Sequence, residues 1–554
     1  MEAIKEHWDL IRRFSVIFGI MLGMFVTALN TTVIAPAMTI IATDLGSPDQ
    51  QAWIATAYLL AFVTCQALAG KFSDIFGRKP ILLFGLFLFV GGSLVSALTP
   101  SMPGIIAGRT IQGLGAGCNM AMSFVLVVDL APIKIRPRFQ SALVVNFGLA
   151  NVVGTLIGGV FVDRLSWRWD FWFNVIVGGV AFTLDLILLK ETVDLKGVSM
   201  KAKMKRIDIM GTLLVIGFVC CLLLALSWGK MYGWGSGHSI GPFVAAGVAF
   251  IVLAIVETRV AKEPVVPPDL LLNRSVAIFY MYVFCFGLGF VSTLYYGPIM
   301  FQAVFGAGSI ESGVRLVPYM SCLIVSSVSS GMMLNKFPYV KFYIVIGAIC
   351  NIVGFGLFYT VNEYSNWGQQ ACYIMLCGFS FGLSQQNCLF GVQTCAPKKY
   401  IAVATSLNQF FMMLSCAIGV AICDTLFREF LKEEFSSLDP SILSIAAKYG
   451  ADSNYLYIRD MPSEYQQPVI HLYMAALHKV FTLPLVVAGI AVICALCAKN
   501  VKYGANKPPQ SSTAQQEKPT TAPDPQEDID LKQDDTNRTL DNEEIEEKKQ
   551  ASIV

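Results

Sequence analysis

Long apolar runs separated by short, mostly basic turns set the pattern of this chain. Ala52 to Ala69 and Ile81 to Leu98 contain no Asp, Glu, Lys or Arg. Each is about the length that crosses the hydrocarbon core of a bilayer as a helix. Between them lies Gly70-Lys71-Phe72-Ser73-Asp74-Ile75-Phe76-Gly77-Arg78-Lys79-Pro80, which is short enough to be only a hairpin turn at one membrane face. The same reading along the chain predicts an all-α polytopic membrane protein of fourteen transmembrane helices. The spans are expected at 15–41, 52–70, 81–98, 104–129, 140–162, 171–190, 209–228, 240–258, 275–303, 313–334, 342–360, 369–393, 401–427 and 478–498.

Charge placement supports the even count. Alternate loops hold Lys71/Arg78/Lys79, Lys134/Arg136/Arg138, Lys190 through Arg206, Arg259/Lys262/Arg274, Lys336/Lys341, Lys398/Lys399 and Lys499/Lys502. The short loops between them are nearly free of Lys and Arg, apart from Arg164, Arg168 and Lys230. Cytoplasmic loops carry the positive excess, so both chain ends are expected inside. No cleavable signal peptide is evident, because the first apolar run is too long for one.

With 55% hydrophobic and 14% charged residues, the composition is that of an integral membrane protein, and a net charge of +2 gives no reason to expect nucleic acid. The 15 cysteines lie mostly inside apolar runs and read as small hydrophobes. His7, His238, His471 and His478 lie outside the middle of every span, so a metal site or histidine relay is not expected.

Glycines at 70 and 77, a lone Asp74, and Arg78-Lys79 resemble the loop signature G-x-x-x-D-x-x-G-R-K of the major facilitator superfamily. Arg109-Thr110-Ile111-Gln112-Gly113-Leu114-Gly115 resembles its fourth-span motif. Gly148, Gly154, Gly158 and Gly159 resemble the fifth-span drug-antiporter motif, with Thr155 where proline is usual. Trp167-Arg168-Trp169 with Asn174, Gly233-Trp234, and Tyr296-x-Pro298-x-x-Phe301-Gln302 also match. Together these resemble the fourteen-span drug:H⁺ antiporter family, in its fungal branch of drug, toxin and metabolite exporters.

The resemblance implies a six plus two plus six arrangement: a cytoplasmic N-terminus at 1–14, a six-helix bundle at 15–190, a linker with two inserted helices at 191–274, and a second bundle at 275–498. A long external loop at 428–476 is expected to lay a short helix around Ile442-Leu443 on the membrane surface. A disordered cytoplasmic tail is expected at 499–554, where 504–554 contains no aromatic residue. Gly331-x-x-x-Asn335-Lys336 falls where Gly70-x-x-x-Asp74 falls in the first half, as expected of pseudo-symmetric transporter halves.

By this resemblance Gly70, Asp74, Gly77, Arg78 and Lys79 form an inner gate, with Asp74 meeting Arg78 and the start of the thirteenth helix. Arg109 and Asp129 are the coupling candidates, and Gly148, Gly154, Gly158 and Gly159 the helix-packing positions. Leu29-Asn30-Thr31-Thr32-Val33 carries Asn30 where the family has aspartate, and an amide cannot titrate. The span carboxylates Asp185, Glu257, Glu311 and Asp424 lie nearer the ends than the middle. Coupling is therefore left to Asp74, Asp129 or one of these acids, or is weak or absent. Asn30, Asn146, Asn151, Tyr280, Tyr282, Gln302, Gln386, Asn387, Asn408 and Gln409 are the pocket candidates. Such a charge-poor, amide-rich pocket suits neutral or weakly anionic amphipathic molecules.

The expected function is export of drug-like, toxin or secondary-metabolite molecules by alternating access at the plasma membrane. The chain would work as a monomer, with the proton gradient as energy source and no cofactor. A vacuolar amino-acid or siderophore carrier is the alternative, and a transporter-like sensor a remote one. No nucleophile–base set suggests an enzyme.

Overall fold

The computed structural model describes residues 2–132, 134–192, 198–436, 438–451 and 455–503. The tail expected at 499–554 lies outside them from 504 onward, as does part of the linker after 192; the tail's first residues are ordered, with Val501 O accepting from Val340 N–H and Tyr503 N–H donating to Pro338 O. Among the described residues the long elements are fourteen helices: α1 (Glu2–Val33), α2 (Gln51–Phe76), α3 (Arg78–Leu98), α4 (Met102–Leu130), α5 (Arg136–Arg164), α6 (Arg168–Leu188), α7 (Ile209–Tyr232), α8 (Gly237–Arg259), α9 (Arg274–Ala303), α10 (Val317–Met333), α11 (Val340–Tyr359), α12 (Trp367–Cys395), α13 (Ile401–Ser436) and α14 (Ser463–Cys497).

Thirteen helices are long and apolar enough to cross a membrane. The remaining one, α12, is 29 residues long. Gln385, Gln386, Asn387 and Gln393 lower its apolarity, and it is packed among α9, α10 and α11.

Local chemistry starts and stops these helices. Proline stands in the first turn of α4, α5 and α10, where its missing N–H costs nothing. The side chains of Asp208, Asn273 and Asn366 cap α7, α9 and α12 by accepting hydrogen bonds from Gly211, Ser275 and Gln369 N–H groups. Gly77, at φ +109°, makes the single-residue turn between α2 and α3, a backbone state other residues rarely adopt.

Two boundaries differ from the sequence reading. The first span does not run to 41: α1 ends at Val33, and a separate helix, Met38–Asp44, follows a turn at Pro36. Proline cannot donate to a continuing helix and biases the preceding residue away from helical backbone. The expected loop at 428–476 is also mostly helical. α13 runs on to Ser436, and α14 begins at Ser463 rather than near 478. The intervening helix Pro440–Tyr449 packs on the protein through Ala446. Ala446, Ala451, Ile458 and Met461 are buried, and Tyr473 Oη donates to the Ala451 carbonyl at 2.9 Å.

α1 to α6 pack on one another, as do α9 to α14, while α7 and α8 form a pair. α4 is held between α2 and α3 at glycine contacts. A Cβ added to Gly113 or Gly117 would meet the Tyr58 or Phe62 carbonyl of α2, and one on Gly115 would meet Phe89 of α3. Small residues let membrane helices approach this closely.

Gly154 and Gly158 do the same for α5 against α1: a Cβ on Gly154 would lie 2.8 Å from Leu29 O, and one on Gly158 would strike the Val33 carbonyl. Gly148 makes only ordinary contact with Leu323 and Met320, and Gly159 meets nothing within 4 Å. Gly154→Leu should therefore lower stability by about 1–3 kcal/mol, read as a lower melting temperature in detergent. Gly159→Leu should leave the melting temperature unchanged.

Candidate functional site

The face carrying Lys71, Arg78 and Lys79 (the basic face) is sealed where the two helix groups meet. α2 packs on α13 and α5 on α10. A Cβ on Gly70 would lie 2.9 Å from Val403 Cα and 2.7 Å from Ser406 Oγ. A Cβ on Gly331 would fall on Ser141 Oγ and 3.0 Å from Pro137 O. The repeat seen in the sequence thus places one glycine of each group against a helix of the other.

Gln386 joins this seam across the groups. Its Nε2 donates to Pro137 O at 2.7 Å, and its Oε1 accepts from Ser141 Oγ at 2.7 Å and Ser327 Oγ at 3.0 Å.

Behind the seam, Arg78 Nη1 pairs with Asp74 at 2.7 Å and its Nε with Asp129 at 3.1 Å. Its backbone N–H donates to Glu191 at 2.9 Å, while Lys79 Nζ donates to Leu186 O at 2.7 Å. Among the described residues no amide from the start of α13 is hydrogen-bonded to Asp74; its charged partner is Arg78. The expected contact with the thirteenth helix comes from Gly70 instead.

Lys71 reaches Glu263, in the segment after α8, at 3.0 Å, and Arg206 reaches the same carboxylate at 2.9 Å. Partial burial works to raise the Glu263 carboxyl, but hydrogen bonds from Arg206 and Lys71 outweigh it and hold it below the usual carboxylate range. The segment after the inserted pair is thereby tied to α2.

Asp74→Ala removes a charge-assisted bond of about 1.5–3 kcal/mol. The variant should reach the membrane and lose about ten- to hundredfold in flux. Wild-type flux per membrane-inserted molecule would reject the gate role.

The interior of the first group holds a polar cluster around Arg109, which is 1% exposed and does not reach out to an interface. Its Nε donates to Ile54 O at 3.0 Å and its Nη1 to Gln112 Oε1 at 2.7 Å. Its guanidinium lies 4.3 Å over the Tyr58 ring, a cation–π contact. Gln112 Nε2 donates to Ser93 Oγ at 2.7 Å and Asn30 Oδ1 at 3.2 Å, and Asn174 Nδ2 donates to Asn30 Oδ1 at 2.9 Å. Asn30 is thus an acceptor hub joining α1, α4 and α6.

Away from the basic face a cavity of about 780 Å³ opens between the groups. Thr31, Tyr58, Arg109, Phe147 and Asn151 line it from the first group, and Phe290, Tyr295, Met413 and Arg428 from the second. Leu223, Leu226, Ser227 and Met231 of α7 form a further wall. The lining reaches Asp49 and Gln51 at the start of α2 and Arg428 near the end of α13, so the mouth lies opposite the basic face. Among the described lining residues the charged ones are Asp49, Arg109 and Arg428.

Of the expected pocket residues, Asn151 lines this cavity, and the structure places the rest elsewhere. Asn146 donates to Met21 O, Tyr280 to Ala404 O, Tyr282 to Ser384 Oγ, Gln302 to Ser312 Oγ, Asn387 to Leu383 O and Asn408 to Gln409 Oε1. These are bonds within and between helices, the ordinary state of buried amides and hydroxyls.

Residues 20–420 match the family profile described as Major Facilitator Superfamily. The chain belongs to the major facilitator superfamily. An MFS-type transporter of Claviceps purpurea is 31% identical over 484 residues, covering 86% of this chain and 83% of the relative. The efflux pump roqT of Penicillium rubens is 30% identical over 500 residues, covering 89% and 92%. Among solved structures, a double-tryptophan variant of XylE aligns with TM-score 0.53 at 16% identity, over 88% of this chain and 96% of that one. The human organic anion transporter MFSD10 aligns with TM-score 0.51 at 15% identity, over 86% and 99%. Both likenesses speak to the fold.

Two features of this superfamily transporter escaped the sequence reading. One is Asp170, buried on α6; the expected sixth span began at 171 and so left it in a loop. The other is the cavity wall supplied by α7. Neither position in the chain nor hydropathy shows that an inserted helix sits between α2 and α13, both of which it contacts.

Proposed function

We propose that this major facilitator transporter exports neutral or weakly anionic amphipathic small molecules of the drug or secondary-metabolite kind, by alternating access and in exchange for protons. The carrying observation is the cavity: it is shut at the basic face, open at the other, and lined by two arginines and one carboxylate. A cationic cargo would face Arg109 and Arg428, the latter paired with Asp424 at 3.2 Å, with Asp49 the one carboxylate in the described lining, and an unpaired charge in a low-dielectric site is costly. Aromatic, methionine and small polar side chains around the rest of the cavity suit amphipathic ligands. Fungal relatives named efflux pumps support the direction. On this reading the basic face is cytoplasmic, the membrane is the plasma membrane, and the protein works as a monomer facing outward in the form described.

The test is transport by the full chain in sealed vesicles with an imposed pH gradient and a panel of labelled compounds: neutral amphiphiles, organic acids, organic cations, lysine, arginine and ferric chelates. Gradient-dependent flux of neutral or acidic amphiphiles is expected. Accumulation of lysine or arginine would overturn the cargo class, and flux indifferent to the gradient would overturn antiport.

A further inference from the structure

Proton antiport, the reading on which this inference rests, needs a group that gains and loses a proton, and Asn30 cannot do so. One buried carboxyl belongs to the polar cluster around it. Asp170 on α6 is 1% exposed, and neither of its carboxyl oxygens has a hydrogen-bond partner among the described residues. Its backbone carbonyl accepts a 2.9 Å bond from Asn174 Nδ2, the same nitrogen that donates to Asn30. The cation of this buried cluster is Arg109, whose Nε and Nη1 donate to Ile54 O and Gln112 Oε1.

A carboxylate buried without a donor is costly unless a proton neutralises it or a cation moves onto it. Asp170 lies where both remedies exist. Arg109 is within its electrostatic reach, and Arg109 and Tyr58 form the cavity wall.

Among the described side chains, the other charged groups near it are engaged or exposed. Arg168, on its own helix, donates to the Ala97 and Thr99 carbonyls. Asp44 accepts from Trp167 Nε1. α5 ends in Asp163 and Arg164, of which Arg164 is exposed, and α1 and α3 carry their charged residues only toward the basic face.

We propose that Asp170 is the proton-carrying group of this transporter and acts through Arg109. One proton binds a carboxyl oxygen while the cavity is open away from the basic face and leaves when the basic face opens. An O–H bond is the only bond made and broken. Each change removes or restores the charge opposite Arg109. Arg109 in turn holds α2 at Ile54 and, through Gln112, holds α1 at Asn30 and α3 at Ser93. Protonation is thereby felt by the helices that shape the cavity.

Infrared difference spectra of the reconstituted full chain, taken between alkaline and acidic buffer, test the assignment without any cargo. The carbonyl-stretch band of a protonated carboxyl should appear on acidification. It should vanish in Asp170→Asn, shift in Asp170→Glu, and persist in Asp185→Asn, which alters another buried carboxyl without hydrogen-bond partners. A band unchanged by Asp170→Asn overturns the proposal. In the vesicle assay with cycloheximide as a neutral probe, Asp170→Asn should abolish the response to the pH gradient and Asp170→Glu should restore it. Gradient-driven flux in Asp170→Asn overturns the assignment alone. Wild-type flux indifferent to the gradient overturns the antiport reading, and the infrared band then decides whether Asp170 binds a proton.

Discussion

Valine at Gly70 should hold the basic face open and stop transport, and valine at Gly331 should do the same from the other side of the seam. At both positions a serine hydroxyl is met first, Ser406 Oγ or Ser141 Oγ, and backbone stands close behind it, Val403 Cα at 2.9 Å and Pro137 O at 3.0 Å; backbone cannot rotate away. Overpacking of this kind costs about 1–3 kcal/mol. That shifts the closed-to-open ratio by about five- to hundredfold, all of it charged to the closed state because the contact exists only there. The readout is labelling of a cysteine placed at Ser406 by a membrane-impermeant maleimide applied from the basic side. Labelling should rise in both valine variants and stay low with valine at Gly91, which has nothing within 4 Å. Unchanged labelling and normal flux in Gly70→Val would show that the seam does not govern the cycle.

Arg109→Ala should cost still more. It removes the donor to the Ile54 carbonyl and to Gln112 Oε1 and takes the cation out of the buried cluster on whose edge Asp170 lies. Leaving buried acceptors without their donor costs about 1–3 kcal/mol each, more where a charge is involved, so flux per inserted molecule should fall by roughly two to three orders of magnitude. Arg109→Lys keeps the charge but cannot reproduce the planar fork to two acceptors, and should recover the melting temperature better than the flux. Adding Asp170→Asn to Arg109→Ala should restore part of the lost stability, because removing both partners leaves no uncompensated charge. Additive losses in that double variant would show that the two side chains are not coupled.

Much of the architecture was legible in the chain because a bilayer leaves few solutions. Uninterrupted apolar runs must be helices, and the basic turns order them. Gly70, Gly77, Asp74 and Arg78 stood out because their spacing resembles the superfamily's loop signature, and the structure gives the residue types their reason: Gly70 lies against α13, Gly77 makes the one-residue turn and Asp74 pairs with Arg78. The pocket was harder to read. Gln386, Tyr282 and Asn408 look the same in sequence whether they face cargo or another helix, and the need to pair every buried amide draws them into the seam and the core. Asp170 was hidden by a boundary shift of a few residues, since the expected sixth span began at 171 whereas Arg168 already begins α6.

The position of α7 has a mechanical consequence. It leans on both α2 and α13, so when the two bundles tilt against each other it cannot stay fixed to both, and at least one of its contacts has to slip. The surfaces suit that: Leu223, Leu226 and Met231 offer smooth aliphatic faces, and the polar contacts to α2 are long, Ser227 to Thr56 at 3.4 Å and Cys220 to Thr64 at 3.9 Å. Nondirectional contacts of this sort can be exchanged for one another at little cost, so on the proposed alternating-access cycle this inserted helix serves as a bearing between the bundles.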